Sequence, residues 1–316
     1  MRVIITGGTG MIGSRLANDL AAEGHEVIVL SRSPALATGL SPRVRVEGWD
    51  AKTSRGWGPL ADGADAIVNL AGASIAGDGF LPSRWTEERK RLIVDSRVNA
   101  GKAIVAAIEE AERKPAVVIQ SSAIGYYGNH PNRVEITEDS PPGDDWLAQG
   151  VCIPWETSTE AVEGLGVRRV IVRSGLVLDF EEGVLPRLAL PYQMFVGGPM
   201  GSGKQPYSWI HRADEIGALR FLLRHPQASG AFNLTAPNPV TNAEFGRALG
   251  HVLNRPSLIP VPGFAMNAVF GEVAATALEG QRVLPRHLLE LGYEFQFTDV
   301  EAALRDLHQQ AEPTQV

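Results

Sequence analysis

The sequence contains a single cysteine, Cys152, among its 316 residues. One cysteine cannot form a disulfide within the chain, which excludes a disulfide-rich secreted scaffold. Long apolar runs are missing too. The first, Val3–Ile5, is too short for a signal peptide, and none approaches the roughly 18 residues of a membrane span. We therefore expect a cytoplasmic protein with no membrane-spanning segment.

The chain also lacks a surplus of positive charge. Its 36 Asp and Glu residues outnumber its 29 Lys and Arg residues, and the formal net charge is −7. Proteins that bind nucleic-acid phosphates usually carry a basic surplus, so neither nucleic acid nor an anionic membrane is an expected partner. His, Cys, Asp and Glu do not recur at metal-ligand spacing, so no metal site is predicted. The sequence does not fix the oligomeric state, and a homodimer remains one option.

The first half of the sequence alternates short β-branched runs with longer segments of helical periodicity. Apolar residues make up 44 % of the chain, which is enough for a sizeable core. This alternation predicts an α/β fold with a Rossmann-like, doubly wound parallel sheet. The predicted strands are 3–5, 26–30, 43–47, 66–70, 116–120 and 167–172, and the predicted helices are 11–22 and 96–112.

The pattern changes after Gly175. Segment 176–208 holds four prolines and a glycine-rich run and is predicted to be mostly loop, and the proline-rich segment 226–262 is predicted to consist of short pieces. A strand and a helix are expected within 209–224, and further helices over 264–283 and 298–309.

This change of pattern divides the chain into two predicted units. The first is a Rossmann-like domain over 1–175, to which 209–235 returns. The second is a smaller, mostly helical C-terminal lobe over 176–208 and 236–310.

A glycine-rich turn links the first predicted strand to the first helix. Gly7 permits a tight turn, Gly10 lets the backbone approach a diphosphate, and Gly13 lets the helix pack closely. The diphosphate would lie at the helix N-terminus, where free N–H groups and the helix dipole favour an anion. The predicted dinucleotide contacts in this turn are Thr6, Gly7, Gly10, Met11, Ile12 and Gly13.

The end of the second strand indicates which dinucleotide would bind. An acidic residue at this position would bind the ribose 2′-hydroxyl of NAD. The chain has Ser31 and Arg32 here instead, and these can hydrogen-bond and neutralise a 2′-phosphate. The predicted cofactor is therefore NADP(H). The alternative is that Arg32 is a solvated surface charge.

The glycine pattern resembles that of the extended short-chain dehydrogenase/reductase superfamily, of the sugar-nucleotide epimerase and dehydratase type. Similar motifs follow in the same order, namely Asp50, Asn69–Gly72, Asn99, Gln120–Gly128 and Ser208–His211 with Asp214. The resemblance implies that Asp50 contacts the adenine. It also implies that Leu70, Ala71, Gly72 and Ser121 lie beside the cofactor.

The C-terminal segment is similar to the terminal domain of one atypical subfamily of that superfamily. The motifs concerned are Arg255-Pro256, Pro260–Pro262, Gly271-Glu272, Gln281–Pro285 and Leu291–Phe295. Its members are called "epimerase family protein", and some carry a cell-division-inhibitor label. The resemblance implies an NADP(H)-dependent oxidoreductase or epimerase whose C-terminal lobe receives a small carbonyl or sugar-like substrate.

The usual catalytic pair of the superfamily is missing. Active members use a tyrosine as general acid/base, and a lysine four residues later lowers its pKa. The corresponding segment, 150–157, contains neither residue type. Depending on the alignment, the two positions hold Val151 and Trp155, or Cys152 and Glu156.

Ser122, Tyr127 and Glu156 are the main candidates to replace this pair. Cys152 could also act as a nucleophile or acid, and its alternative is a buried helical cysteine. Ser122 could orient a substrate carbonyl, although another register places Ala123 there. Tyr127 could donate a proton, and Glu156 could act as a general acid/base or bind the cofactor ribose. The alternatives are a serine that only bonds the backbone at Ser122, a core or wall aromatic at Tyr127, and a solvated helix carboxylate at Glu156. The sequence therefore leaves two hypotheses: an NADP(H)-dependent enzyme, or a non-catalytic NADP(H)-binding redox sensor.

Overall fold

The computed structural model describes residues 1–77, 79, 81–130 and 134–311. Thirteen strands are found in these ranges. They are β1 (Arg2–Thr6), β2 (Glu26–Ser31), β3 (Val44–Gly48), β4 (Ala66–Asn69), β5 (Val117–Ala123), β6 (Glu135–Ile136), β7 (Arg168–Ser174), β8 (Leu176–Leu178), β9 (Pro206–Tyr207), β10 (Trp209–His211), β11 (Gly230–Leu234), β12 (Val240–Thr241) and β13 (Arg282–Val283).

Ten α-helices are found in the same ranges. They are α1 (Met11–Ala22), α2 (Glu87–Glu110), α3 (Ile153–Thr157), α4 (Leu185–Gln193), α5 (Arg212–Arg224), α6 (Asn242–Leu253), α7 (Gly263–Phe270), α8 (Ala275–Leu278), α9 (Arg286–Glu290) and α10 (Val300–Ala311). None of them combines the length and the apolar composition that crossing a bilayer requires.

Seven of the strands form one parallel sheet in the order β11-β7-β5-β4-β1-β2-β3. The strand order reverses at β1, since β2 and β3 extend to one side and β4, β5, β7 and β11 to the other. This confirms the predicted Rossmann-like, doubly wound α/β fold. The reversal also leaves a crevice at the carboxyl ends of β1 and β4, which is where such sheets bind ligands.

Helices cover both faces of the sheet because its strands are apolar on both sides. Val3 and Ile5 of β1 pack in the same cluster as Leu16 of α1. Ile4, between them, points to the opposite face and packs with Ile104 of α2. Alternation along a single buried strand thus fills two cores.

A third buried cluster gathers residues of the C-terminal half of the chain. Trp209 and Phe245 are buried there with Leu304 of α10. Helix α6 begins with a capping box, in which Thr241 and Glu244 each bond the other's backbone amide. The pairing of β6 with β13 ties this half of the chain to the segment after β5.

The sequence-based prediction is wrong at several elements of the C-terminal half. Segments 176–208 and 226–262 were expected to be loop or short pieces, yet they contain α4 and the twelve-residue α6. The helix expected over 264–283 is broken, because Gly271 adopts φ +65° directly after α7 and α8 ends at Leu278. Helix α2 starts at Glu87 instead of residue 96, because Thr86 caps it by accepting a hydrogen bond from the amide of Arg89.

Candidate functional site

A cleft of about 470 Å³ lies at the carboxyl ends of β1, β2 and β4, beside the reversal of strand order. Its walls come from the loops after these strands, from the end of β3 and from one face of α2. The lining residues are Gly7, Thr9, Gly10, Leu30, Ser31, Arg32, Ser33, Leu36, Ala37, Trp49, Ala51, Leu70, Ala71, Gly72, Ala73, Ser74, Arg89, Leu92 and Ser96.

The turn between β1 and α1 is compact because a side chain has no room at Gly7 and Gly8 in the turn, or at Gly13 in the first turn of α1. Gly7 adopts φ +66°, and a Cβ there would lie 2.6 Å from the Leu70 carbonyl oxygen. A Cβ on Gly13 would lie 2.4 Å from the Gly7 carbonyl oxygen. A Cβ on Gly10, in contrast, would come no closer than 3.4 Å to any protein atom outside its neighbours. The space in front of Gly10 therefore belongs to the cleft.

The first turn of α1 suits an anion. Its opening amides have no acceptor within the helix, and the turn carries no acidic residue that would repel a phosphate. Gly10 is the N-cap, and its side-chain-free backbone lines the cleft directly. The residues present therefore fit a diphosphate at this end of α1.

The far end of the cleft, after β2, carries a cation. Arg32 is exposed and makes no ion pair within the ranges that the structure describes. Beside it, the Ser31 hydroxyl accepts a hydrogen bond from the amide of Ser33 at 3.2 Å. These groups could receive a phosphate on the 2′ position of a ribose.

Seven of the thirteen predicted cofactor residues line the cleft: Gly7, Gly10, Ser31, Arg32, Leu70, Ala71 and Gly72. The other six, which are Thr6, Met11, Ile12, Gly13, Asp50 and Ser121, lie outside its lining. The carboxylate of Asp50 accepts hydrogen bonds from the amides of Lys52 and Thr53, both at 2.8 Å. Burial pushes the pKa of Asp50 up, but these hydrogen bonds outweigh it, and the pKa is lowered.

Thr6 lies beneath the cleft in a chain of buried hydrogen bonds. Its hydroxyl donates to Asn69 Oδ1 at 2.7 Å, and Asn69 Nδ2 donates to Gln120 Oε1 at 2.9 Å. Gln120 Nε2 in turn donates to the carbonyl oxygen of Ser121 at 2.7 Å. This chain ties together the ends of β1, β4 and β5, the strands at the switch point.

The three candidate catalytic residues lie together around a residue that sequence reasoning missed, Arg173 of β7. Glu156 accepts two hydrogen bonds from Arg173, from Nε to Oε1 and from Nη2 to Oε2, each at 2.9 Å. The Ser122 hydroxyl donates to the same Glu156 Oε1 at 2.6 Å. The Tyr127 hydroxyl accepts from Arg173 Nη1 at 2.9 Å and donates to Asn233 Oδ1 at 2.7 Å. We call these five residues the Arg173 network.

All five members of the Arg173 network are buried, and burial competes with their charges and hydrogen bonds. Burial raises the pKa of Tyr127 to about 12, although the charge of Arg173 acts in the opposite direction. Burial alone would lower the pKa of Arg173, but the hydrogen bonds and charge of Glu156 outweigh it and raise the pKa. The Tyr126 ring covers the guanidinium, with its centroid 3.4 Å from Cζ. Near neutral pH the phenol of Tyr127 therefore keeps its proton, which is directed at Asn233.

The segment expected to hold the tyrosine and lysine forms a π-helical turn, Leu147–Cys152, followed by α3. Cys152 is buried with its Sγ 3.8 Å from the Ala123 carbonyl oxygen, and burial raises its pKa to about 12. The indole of Trp155 packs on the guanidinium of Arg97, whose Cζ lies 4.6 Å from the ring centroid. Within the described ranges, no three His, Cys, Asp or Glu side chains are placed to hold a metal ion.

Arg97 is a second functional candidate that sequence reasoning missed. It occupies an inward position of α2, on the same face as Ile93, Ala100 and Ile104. An arginine at an apolar position of a helical pattern is a visible signal, because a charge is rarely buried without a reason.

The fold and the cleft define the chain as a Rossmann-like α/β protein with a site of the dinucleotide-binding type. Residues 3–235 match the model of the NAD dependent epimerase/dehydratase family, and residues 261–307 match a domain of unknown function. The chain therefore belongs to the NAD dependent epimerase/dehydratase family.

Similar proteins span nearly the whole chain. The chloroplastic homolog of epimerase family protein SDR39U1 from Arabidopsis thaliana is 41 % identical over 311 residues, which cover 98 % of this chain and 87 % of that protein. Epimerase family protein YfhF from Bacillus subtilis is 37 % identical over 309 residues, 97 % of this chain and 98 % of that protein. The human epimerase family protein SDR39U1, in a crystal structure with NADPH, aligns with a TM-score of 0.86 at 36 % identity and covers 98 % of this chain and 99 % of that one. These similarities confirm the resemblance to the epimerase family proteins.

Proposed function

We propose that the chain binds NADP(H) in the cleft at the reversal of strand order. The observation that carries this proposal is the turn after β1, where Gly7 and Gly13 leave no room for side chains and Gly10 opens the N-terminus of α1 to the cleft. The human relative described with NADPH, 36 % identical over nearly the full length, supports the same cofactor class.

Each part of the dinucleotide has a set of residues suited to it. The diphosphate would accept hydrogen bonds from the amides of Met11 and Ile12 at the start of α1, beside the bare backbone of Gly10. The 2′-phosphate would bind Ser31 and Arg32, since a guanidinium and a hydroxyl suit phosphate oxygens.

Other residues would contact the cofactor by packing against it, or would support the strand ends beneath it. Leu70, Ala71 and Gly72 would lie against the nicotinamide half, and Asp50 would fix the turn beside the adenine. Thr6 and Ser121 would act beneath the cofactor, because their hydrogen-bond chain holds the strand ends in place. Gly13 would keep the turn compact.

As an enzyme, the chain would be an oxidoreductase or epimerase of a small carbonyl or sugar-like substrate. NADP(H), when bound, supplies hydride transfer. Membership of the epimerase/dehydratase family supports this activity, as does the C-terminal lobe tied to the segment that follows β5. The substrate oxygen would be oriented, and its proton donated or accepted, by Ser122, Tyr127 and Glu156.

A second function, an NADP(H)-binding redox sensor without catalysis, is favoured by one specific observation. The hydroxyls of Ser122 and Tyr127 and the carboxylate of Glu156 are all engaged in the Arg173 network. A general acid or base must reach the substrate proton within hydrogen-bond distance. These three groups would have to leave buried partners to do so.

Hydride transfer from NADPH deuterated at C4 to a panel of small aldehydes, ketones and keto-sugars distinguishes the two functions. The enzyme hypothesis predicts deuterium in at least one product, with the rate reduced in Ser122→Ala. Tight NADPH binding with no transfer to any carbonyl would contradict the enzyme hypothesis and support the sensor. Absence of NADPH from crystals grown with millimolar cofactor would contradict both.

A further inference from the structure

Arg97 is a buried cation that no carboxylate neutralises in the part of the chain that the structure describes. It is 6 % exposed and lies on the inward face of α2. The other deeply buried arginine at this edge of the sheet, Arg173, is matched on two atoms by Glu156. The nearest aromatic partner of Arg97 is the neutral indole of Trp155.

The hydrogen-bonding capacity of Arg97 is also only partly used. Its guanidinium offers five N–H groups. Nη1 donates to the carbonyl oxygens of Ala73 at 3.0 Å and Ile93 at 2.9 Å. Nε is fully buried and has no hydrogen-bond partner, and none is found for Nη2 among the described residues. Burial lowers the pKa of Arg97 to about 10, so the side chain still carries its charge at neutral pH.

A buried charge with unmade hydrogen bonds is costly, and proteins normally compensate it. The protein groups around Arg97 do not complete this compensation. A bound ligand that brings electronegative oxygens would do so.

The place of Arg97 identifies which part of a ligand would reach it. A Cβ on Gly72 would lie 3.0 Å from Arg97 Cζ, so the guanidinium packs directly against the bare backbone of Gly72, which lines the cleft. Across the sheet, Arg32 follows β2, the diphosphate turn follows β1, and Gly72 follows β4. A dinucleotide laid along this order places its second nucleoside beyond β4, on the side of Arg97 and Trp155.

We propose that Arg97 binds ribose or phosphate oxygens of the nicotinamide half of NADP(H), and thereby supplies the positive charge that the missing lysine would supply. The inference rests on the proposed binding of NADP(H). Arg97 would reach the nicotinamide half from α2, across the face of Trp155, whereas the lysine would reach it from the segment 150–157. The charge is retained although its position in the sequence has changed.

Two ligands measure the role of Arg97 separately from the rest of the cleft. NADPH has both halves, whereas adenosine 2′,5′-bisphosphate lacks the nicotinamide half but keeps the 2′-phosphate. We expect Arg97→Gln to weaken NADPH about tenfold or more in calorimetric titration, and to change adenosine 2′,5′-bisphosphate by less than about twofold. Arg97→Lys should fall between the wild type and Arg97→Gln for NADPH. Arg91→Gln, at an exposed position of the same helix, is the matched control and should leave both affinities unchanged.

The outcomes separate this inference from the proposed function. An equal loss for both ligands, or no loss for either, would overturn the role of Arg97 while NADP(H) binding stands. Failure of the wild-type protein to bind NADPH at all would refute the proposed function itself. If Arg97→Gln does not fold, the NMR signal of nitrogen-15 at Arg97 Nε in the wild-type protein tests the role of Arg97 instead. It should shift with NADPH and not with adenosine 2′,5′-bisphosphate, and no shift with NADPH overturns the inference.

Discussion

Neutralising Glu156 should destabilise the protein strongly, because its carboxylate is the only one bonded to Arg173 among the residues that the structure describes. In Glu156→Gln the amide oxygen can still accept from Ser122 and from Arg173 Nε. The amide nitrogen that replaces Oε2 would face another donor, Arg173 Nη2.

The size of this effect follows from the burial of the pair, whose side chains are only 5 % and 9 % exposed. Removing one partner of a buried ion pair costs about 3–5 kcal/mol, and the acceptor that Gln retains places the expected loss at about 3 kcal/mol. For a chain of 316 residues, a loss of that size lowers Tm by roughly 4–5 °C. Adding Arg173→Met should recover part of the loss, since the uncompensated charge is then gone.

Urea unfolding followed by circular dichroism measures the free energy, and the pair Arg45–Glu47 provides the control. These side chains are 55 % and 35 % exposed, so Glu47→Gln should cost less than about 1 kcal/mol. NADPH affinity of Glu156→Gln, measured well below its Tm, should stay within about twofold of the wild type, because both carboxylate oxygens of Glu156 are already bonded to Arg173. Unchanged stability together with lost NADPH binding would refute this reasoning, since the carboxylate would then contact the ligand.

Two further changes test the turn and the buried carboxyl of α5. Gly13→Ala should weaken NADPH about tenfold or more, because its Cβ would lie 2.4 Å from the Gly7 carbonyl oxygen. Gly164→Ala, where a Cβ meets nothing within 4 Å, should have no effect in the same titration. Burial raises the pKa of Glu215 to about 8 from its usual 4.5, so the folded state binds more protons than the unfolded state between these values, and stability falls as pH rises across them. Glu215→Gln should flatten this fall in urea midpoints measured from pH 5 to 8, and an equally steep fall would contradict the assignment.

The first half of the fold could be predicted because its signals are local. Helix α1 was expected over 11–22 and spans Met11–Ala22, since glycines define its start and Ile12, Leu16 and Leu20 its inward face. The central strands are continuous apolar runs between turns, and only their ends differ from the prediction, by one to three residues.

The C-terminal half is harder to predict because its many prolines indicate loops, although two of the proline-containing segments form helices. In α4, Pro186 occupies the first turn, where a proline costs no hydrogen bond. Helix α6 carried a readable signal, the Thr241–Glu244 capping box followed by an apolar pattern at Phe245, Leu249 and Val252, but it lay inside a proline-rich segment.

The candidate site also has one part that the sequence predicts and one part that it does not. The turn around Gly7 and the cation Arg32 are contiguous in sequence and could be predicted as features of a cleft. The Arg173 network joins β5, α3, β7 and β11, and no spacing rule connects residues so far apart in the chain. Its existence depends on tertiary packing, which only the structure supplies.

The central claim is that the cleft recognises a dinucleotide through the turn after β1 and its 2′-phosphate through Arg32. Calorimetric titration of the wild-type protein with NADPH and NADH, repeated on Arg32→Asp, tests it most directly. We predict that NADPH binds at least about tenfold more tightly than NADH to the wild type, and that Arg32→Asp reverses this preference. Equal affinities for the two cofactors, or no binding of either at millimolar concentration, would contradict the account.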